Sequence, residues 1–416
     1  MNNTVRTVFR GPSVFTSTPD FINWLTGAVR TCPDLPVLTV IDPAIPPTPG
    51  GKQLLQQLQG VADLLCVEPA ADEAALLHTA ERAPWAQVVL GVGGGSAMDT
   101  AKLLPAFWHP GHRMAITSRS RAGHVILPDG LPAGQVLGLV PTTVGTGSES
   151  SMNACLTQGI RKRLISGSGL RADAVLLDSA LTATLPSRLL LTGALEAIFR
   201  LSTPFVMTAT PRRSADTFAL ASIRALVDAG NEARSLGLAT DPERSGQLRR
   251  DIAELSSFSQ SGWSSLGRNS YGTLPWIIAT ELSMATGVSK MEAVAAILPA
   301  YWRRIESGDA RFGSPARLRD VGQALAGAAR TPVASPVAAL EHVLSHWGLT
   351  RPLSLQEPDI HRIAQQTSRA WGGGLPMLQG LTSTDVAAFL REAAGAHTMG
   401  DVQPVRPRGP FERGET

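Results

Sequence analysis

The first residues whose types and spacing could do chemistry lie in residues 88–102, VVLGVGGGSAMDTAK. Gly93, Gly94, Gly95 and Ser96 stand between an apolar run, Val88-Val89-Leu90, and a helical pattern that holds Asp99. Glycine reaches backbone angles closed to other residues and lets a ligand approach the main chain closely. The unpaired N–H groups at the start of a helix, with its partial positive charge, then favour an anion such as a diphosphate. The spacing predicts a buried parallel strand that breaks at Gly91 and a helix with Asp99 in its first turn. An ordinary strand-to-helix turn has the same composition, so this motif alone leaves both readings open.

A second stretch, residues 137–151 (LGLVPTTVGTGSESS), is an apolar run broken by Pro141, then a loop dense in hydroxyls and glycine. Main-chain amides and the hydroxyls of Thr142, Thr143 and Thr146 could meet a ligand at the carboxyl edge of a sheet, where open α/β sheets bind cofactors. GGGSAMDTAK followed by PTTVGTGSE closely resembles the iron-containing (group III) alcohol dehydrogenase family, and the resemblance runs on to about residue 395. Dehydroquinate synthase is a more distant relative. The resemblance implies an α/β N-terminal dinucleotide-binding domain over residues 1–185 and an all-α C-terminal domain over residues 186–398. It also implies a nicotinamide cofactor held by Asp42, Gly93, Gly94, Gly95, Ser96, Asp99, Thr142, Thr143 and Thr146.

Asp42 ends a strong strand pattern, residues 36–41, where a carboxylate can accept hydrogen bonds from a ribose diol. In the resembled family an acid at this place goes with NAD and small neutral residues with NADP, so NAD is expected and NADP is possible. A turn residue before Pro43 is the equally weighted alternative.

The elements that must position these residues follow from the rest of the chain. At 416 residues, two domains are the natural expectation. A hydrophobic fraction of 43% and a charged fraction of 17% suit a globular protein with a large core. The net charge of +3 is too small and scattered to suggest nucleic acid. Cys32, Cys66 and Cys155 form no metal-type pair and read as buried small hydrophobes in a reducing compartment. With no signal peptide and no 18-residue apolar run expected, the reading is a cytoplasmic protein without membrane contact.

Helices are expected near residues 18–31, up to about Gly60, and over 72–82, and strands over 62–67, 151–156, 161–164 and 174–178, the last two completing the sheet. Residues 109–112 and 128–130 read as loops. The pattern is helical from Arg188, and residues 401–416 are Pro- and charge-rich and expected to be disordered.

Active members of the resembled family hold a divalent metal with one Asp and three His on helices of the second domain. The pattern G-x-D-A-L-x-H falls here on residues 193–199, so Leu195 occupies the carboxylate position and Phe199 an imidazole position. The remaining imidazole positions fall on Trp276 and Lys290, and none of the eight histidines lies in these stretches. Glu196 stands where dehydroquinate synthases place a metal-binding Glu, yet one carboxylate cannot complete a shell of three or four ligands. His342 and His346 share a helix face at ligand spacing without a third partner, and read as surface or packing residues. No catalytic metal is expected.

Of 37 basic residues only four are lysines: Lys52, Lys102, Lys162 and Lys290. An ammonium is a compact charge that can be desolvated and can change protonation. Lys290 could therefore stabilise developing alkoxide charge, or act as a base if its pKa falls; a solvated helix-terminus residue after Ser289 is the plain alternative. Lys102 reads as structural, within reach of Asp99, and the resemblance implies that Lys162 faces a substrate anion.

These residues suit a metal-independent NAD(P)-dependent oxidoreductase acting on an alcohol, carbonyl or peptide. Dehydrogenases resembling this family oxidise the C-terminal threonine of daptide-type peptides, which is its narrower form. The alternative is an inactive paralogue that binds cofactor or peptide and supports an active partner subunit; the expected assembly is a homodimer, or a hetero-oligomer with an active paralogue.

Overall fold

The computed structural model describes residues 11–30, 37–70, 72–83, 85–128, 135–236, 241–329 and 334–395. The expectations for Cys32, Pro36, Asp129, Gly130, His397 and the 399–416 tail lie outside them. Strands β1 (Ser13–Phe15), β2 (Val37–Ile41), β3 (Leu64–Val67), β4 (Val88–Gly93), β6 (Val136–Pro141) and β9 (Ala174–Leu176) form one parallel sheet, in the order β1-β9-β6-β4-β2-β3. Helices α1 (Thr18–Val29), α2 (Pro49–Gln59), α3 (Glu73–Arg82), α4 (Gly95–Trp108) and α5 (Pro110–Thr117) accompany them.

Alternation along β4 builds two cores. Val88, Leu90 and Val92 face α1 and α2, packing with Phe21, Leu25, Leu54 and Leu58. Val89 faces the other way with Leu76 of α3 and Met98, Ala101 and Leu104 of α4. That two-residue period is the pleat of a strand buried on both faces. Each such side chain contributes about 1.5–3 kcal/mol by leaving water. Gly91 lets α4 lie close against the sheet: a Cβ there would stand 2.8 Å from Ala101 Cβ and from a Leu139 methyl.

Strands β5 (His124–Ile126), β7 (Asn153–Gln158) and β8 (Arg161–Ser166) form a separate sheet in the order β5-β8-β7. Residues 161–164 therefore do not complete the main sheet. The polar alternation of β7 and β8 suits a ribbon over α4 rather than a central strand buried on both faces.

Helices take over at Ser187: α6 (Ser187–Val206), α7 (Arg213–Leu236), α8 (Pro242–Phe258), α9 (Leu274–Thr286), α10 (Lys290–Glu306), α11 (Pro315–Ala329), α12 (Pro336–His346), α13 (Glu357–Trp371) and α14 (Ser383–Gly395). Their apolar faces merge into one core around Leu195, Phe205, Ile297 and Trp302. An α/β domain followed by a helical one is the predicted fold class.

Several local expectations are corrected. Strand β4 runs through Gly91 to Gly93, because parallel partners flank it on both sides. Asp99 lies beyond the first turn of α4. Residues 109–112 start a helix, with His109 as its cap. Cys66 is exposed and Cys155 is half-buried, so neither is a core residue. Helix α6 is long and apolar enough to cross a bilayer, contrary to the reading of no such run, and its apolar surface is mostly buried inside the protein.

Candidate active site

The chain order of the sheet reverses between β2 and β4: β3 lies outside β2, and β6 lies on the far side of β4. Ligands of open parallel sheets bind in the crevice at the carboxyl ends of such a pair. The two strands end at Asp42 and Gly93. The Asp42 N–H donates to the Val92 carbonyl at 3.0 Å, and a Cβ on Gly93 would strike the Asp42 Cβ at 2.9 Å. Gly93 has φ +150°, a value that favours glycine. One carboxylate oxygen of Asp42 accepts the Ala44 N–H at 3.0 Å, so the turn reading holds, at the crevice where the ribose reading also requires it.

Gly94 caps α4 and has no side chain to satisfy the helix's first amides. That leaves them for an anion. Opposite stands the second loop. The buried Thr142 donates its N–H to the Gly93 carbonyl at 2.9 Å. Thr143 and Thr146 face Gly94 and Gly95, where an added Cβ would come within 3.4 Å of each threonine side chain. The fold thus brings Asp42, Gly93, Gly94, Gly95, Ser96, Thr142, Thr143 and Thr146 to one crevice. Amides, hydroxyls and an acid in this arrangement fit a dinucleotide.

Asp99 has a different task. Its two oxygens accept from Ser148 Oγ at 2.6 Å and from the Cys155 N–H at 2.9 Å, so it braces the loop while half-buried beside Ser96. Lys102 braces the same loop. Its ammonium is fully buried and donates to the carbonyls of Ser148, Ser151 (3.1 Å) and Asn153 (2.9 Å) and to Ser148 Oγ (3.0 Å). The structural reading of Lys102 holds, but Ser148 stands between it and Asp99. Burial pushes the Lys102 ammonium down to about 8, against the pull of Asp99 and Glu149. Lys162 borders a polar cavity of about 60 Å³ with Ser96, Asp99, Thr157 and Cys155. A cavity of about 1210 Å³ opens elsewhere, between α7, α8 and residues 150–153, and is lined by none of the predicted site residues.

The helical side of the crevice is reached through glycine. Gly145 has φ +106°, and a Cβ there would lie 2.3 Å from the Gly193 Cα, so loop and α6 meet backbone to backbone. One and two turns on, α6 presents Glu196 and Arg200. Glu196 is 8% exposed and accepts from the Lys290 ammonium at 2.9 Å, with the Arg200 guanidinium 3.7 Å away. Burial alone would raise the Glu196 carboxyl, yet Lys290 and Arg200 hold it below the usual range. Burial alone would lower Lys290, but facing Glu196 leaves it above the ordinary value. The option of Lys290 as a base with lowered pKa is therefore corrected: its carboxylate partner keeps the proton on. It is not a solvated helix end either, since the ammonium sits 5.8 Å over the Trp276 ring.

The positions that match the resembled metal ligands hold Leu195 and Phe199, both in the helical core, Trp276, edge-on to Trp371 at 5.9 Å, and Lys290 in its ion pair. Hydrocarbon, indole and a protonated ammonium offer no lone pair to a divalent ion. Among the described residues no three His, Cys, Asp or Glu side chains form a group that could hold one. His342 and His346 stack with ring centres 6.2 Å apart. These residues do not fit a resident metal.

Sequence reasoning missed Arg200 and Glu149. Arg200 had a readable sign, the i, i+4 spacing from Glu196. Glu149 had none: its carboxyl is buried beside Lys102 and Arg200, and burial pushes it up.

Residues 33–179 match the family described as iron-containing alcohol dehydrogenase. The family match covers that segment, and the fold of the chain is that of solved iron-containing alcohol dehydrogenases. Among family relatives, long-chain-alcohol dehydrogenase 1 of Geobacillus thermodenitrificans is 28% identical over 58% of this chain and 56% of its own. Phosphonoacetaldehyde reductase of Streptomyces viridochromogenes is 32% identical over 42% of this chain and 45% of its own. The chain thus spans about half the length of these curated relatives. The fold matches the whole of NADH-dependent butanol dehydrogenase A of Thermotoga maritima, with a TM-score of 0.74 at 20% identity, over 93% of this chain and 98% of that one. An iron-containing alcohol dehydrogenase fold therefore extends through the helical domain.

Proposed function

We propose that this protein is an NAD(P)-dependent oxidoreductase that interconverts an alcohol and a carbonyl, with Lys290 standing where the family holds a metal. The observation that carries this reading is the Lys290 side chain paired with Glu196 at 2.9 Å, on the helix whose Gly193 meets the Gly145 loop. The named relatives, a long-chain-alcohol dehydrogenase and a phosphonoacetaldehyde reductase, support the reaction class without narrowing it to a peptide.

A reduced nicotinamide, when bound, supplies the hydride that the carbonyl carbon accepts. The amides at the start of α4 hold the diphosphate, and Asp42 takes the ribose. Lys290 donates a hydrogen bond to the carbonyl oxygen. As that oxygen gains charge it takes the Lys290 proton, a downhill transfer from an ammonium to an alkoxide. A preorganised donor aimed at developing oxyanion charge is worth about 10²–10³ in rate. Lys290 is 27% exposed, and solvent restores its proton. Glu196 favours the charged lysine, the form that donates its proton when the carbonyl is reduced.

Fluorescence titration with NADH and NADPH, followed by turnover on alcohols and aldehydes with and without Zn²⁺ or Fe²⁺, tests the proposal. Cofactor binding with metal-independent turnover is the expected result. Binding without turnover supports the inactive-paralogue reading instead, and metal-dependent turnover overturns both.

A further inference from the structure

We propose that Arg200 and Glu196 are positioning residues that couple occupancy of the nucleotide loop to the placement of the Lys290 ammonium. The inference rests on the reading of Lys290 given above. Besides Glu196, Arg200 has two anchors. One nitrogen donates to the carbonyls of Gly145 and of Thr146 (2.7 Å). The other donates to Ser259 Oγ at 2.7 Å, just past the end of α8. A planar guanidinium bonded this way cannot shift without moving the loop or being moved by it.

The loop in turn cannot slide past α6. Gly145 and Gly193 touch through bare backbone, and a Cβ on Gly147 would meet an Arg200 nitrogen at 2.9 Å. Thr146, whose carbonyl Arg200 holds, also faces Gly95 in the cradle. A cofactor pressing between the glycine turn and Thr143–Thr146 therefore acts directly on Arg200.

Glu196 carries that displacement onward. It lies between two cations, Arg200 at 3.7 Å and Lys290 at 2.9 Å. Lys290 is the first residue of α10, where the helix's partial positive charge repels an ammonium. Without Glu196 it would turn to solvent; with it, the ammonium stays over Trp276. The other charged or titratable groups that act on this pair are Lys162, Cys155 and Glu149, none of which joins Arg200 to Lys290. Both relay residues lie on one helix, a single turn apart, so a shift of one is transmitted to the other.

The test is the rate at which Lys290 is acetylated by acetic anhydride, read by peptide mass spectrometry, with and without saturating NADH. In the wild type NADH should change that rate at least about fivefold, the lower end of ordinary coupling between sites. Arg200→Lys keeps the charge and loses the fork, so NADH should still bind while the Lys290 rate becomes indifferent to it. Should Arg200→Lys fail to fold, Glu196→Gln, of the same shape, should show the same indifference together with a lower kcat at unchanged KM for NADH, and Glu196→Asp should restore part of the response. Simple shielding of Lys290 by bound NADH predicts the same response in every variant, and that outcome overturns the proposal. Labelling needs no turnover, so failure of the functional reading shows separately, as a Lys290→Met protein that still turns over.

Discussion

The two sides of the crevice are built from different materials. The cradle side uses backbone: glycines, amides at the start of α4, and a loop whose carbonyls accept from buried Lys102 while its Ser148 hydroxyl donates to Asp99. The helical side uses side chains paired across helices, with Arg200 and Glu196 on α6 and Lys290 on α10. Backbone geometry is written in short runs of glycine and threonine. A side-chain pair depends on residues nearly a hundred positions apart. The comparison shows how differently the two sides are constrained: the backbone cradle demands glycine at fixed places, whereas the helical wall needs charges that balance.

The seam between the sides gives the largest expected effect. Gly145→Val places a branched side chain at a positive φ against Gly193 and should cost about 3 kcal/mol or more, read as a fallen urea midpoint. A midpoint near wild type would mean that the two sides do not meet backbone to backbone. Next comes Lys102→Met, which strands the buried carbonyls of Ser148, Ser151 and Asn153 and should cost about 3 kcal/mol.

The same lysine sets a pH dependence. Its folded pKa, about 8, lies below the ordinary lysine value, so between those limits the unfolded chain binds more protons. Wild-type stability should therefore rise with pH from about 8 upward relative to Lys102→Met, by at most about 1.4 kcal/mol per pH unit. Unfolding curves for both proteins at pH 7.5, 9 and 10, taken as rough points across that window, check the sign.

Smaller effects separate binding from chemistry. Gly94→Ala adds a methyl 3.4 Å from Thr143 Oγ1 and should weaken NADH about tenfold while thermal stability stays level. Asp42→Ser keeps a hydroxyl for the turn to Ala44 but loses the carboxylate, so NADH should weaken about fivefold and NADPH should not. Equal loss of both cofactors would leave Asp42 a turn residue and nothing more.

The fold was legible because its signals are local. Alternation in residues 88–92, the glycine turn and the change to helical periodicity at Arg188 each speak for themselves. The second sheet was missed since β8 reads as a strand wherever it pairs, and pairing with His124–Ile126 is a long-range fact. Asp99 carries the right chemistry for a ligand, and only Ser148 and Cys155, some fifty residues on, reveal that it also braces the second loop. Sequence position put Lys290 at the head of α10, but its partner Glu196, which pulls the ammonium's pKa up, lies on another helix 94 residues away.

Hydride transfer from NADH to an aldehyde in a single turnover, on chelator-stripped protein, bears most directly on the role proposed for Lys290. The wild type should keep its rate after stripping, and Lys290→Met should lose about 10²–10³ of it with NADH affinity intact. A wild-type rate that vanishes on stripping and returns with Fe²⁺ or Zn²⁺ would contradict the account.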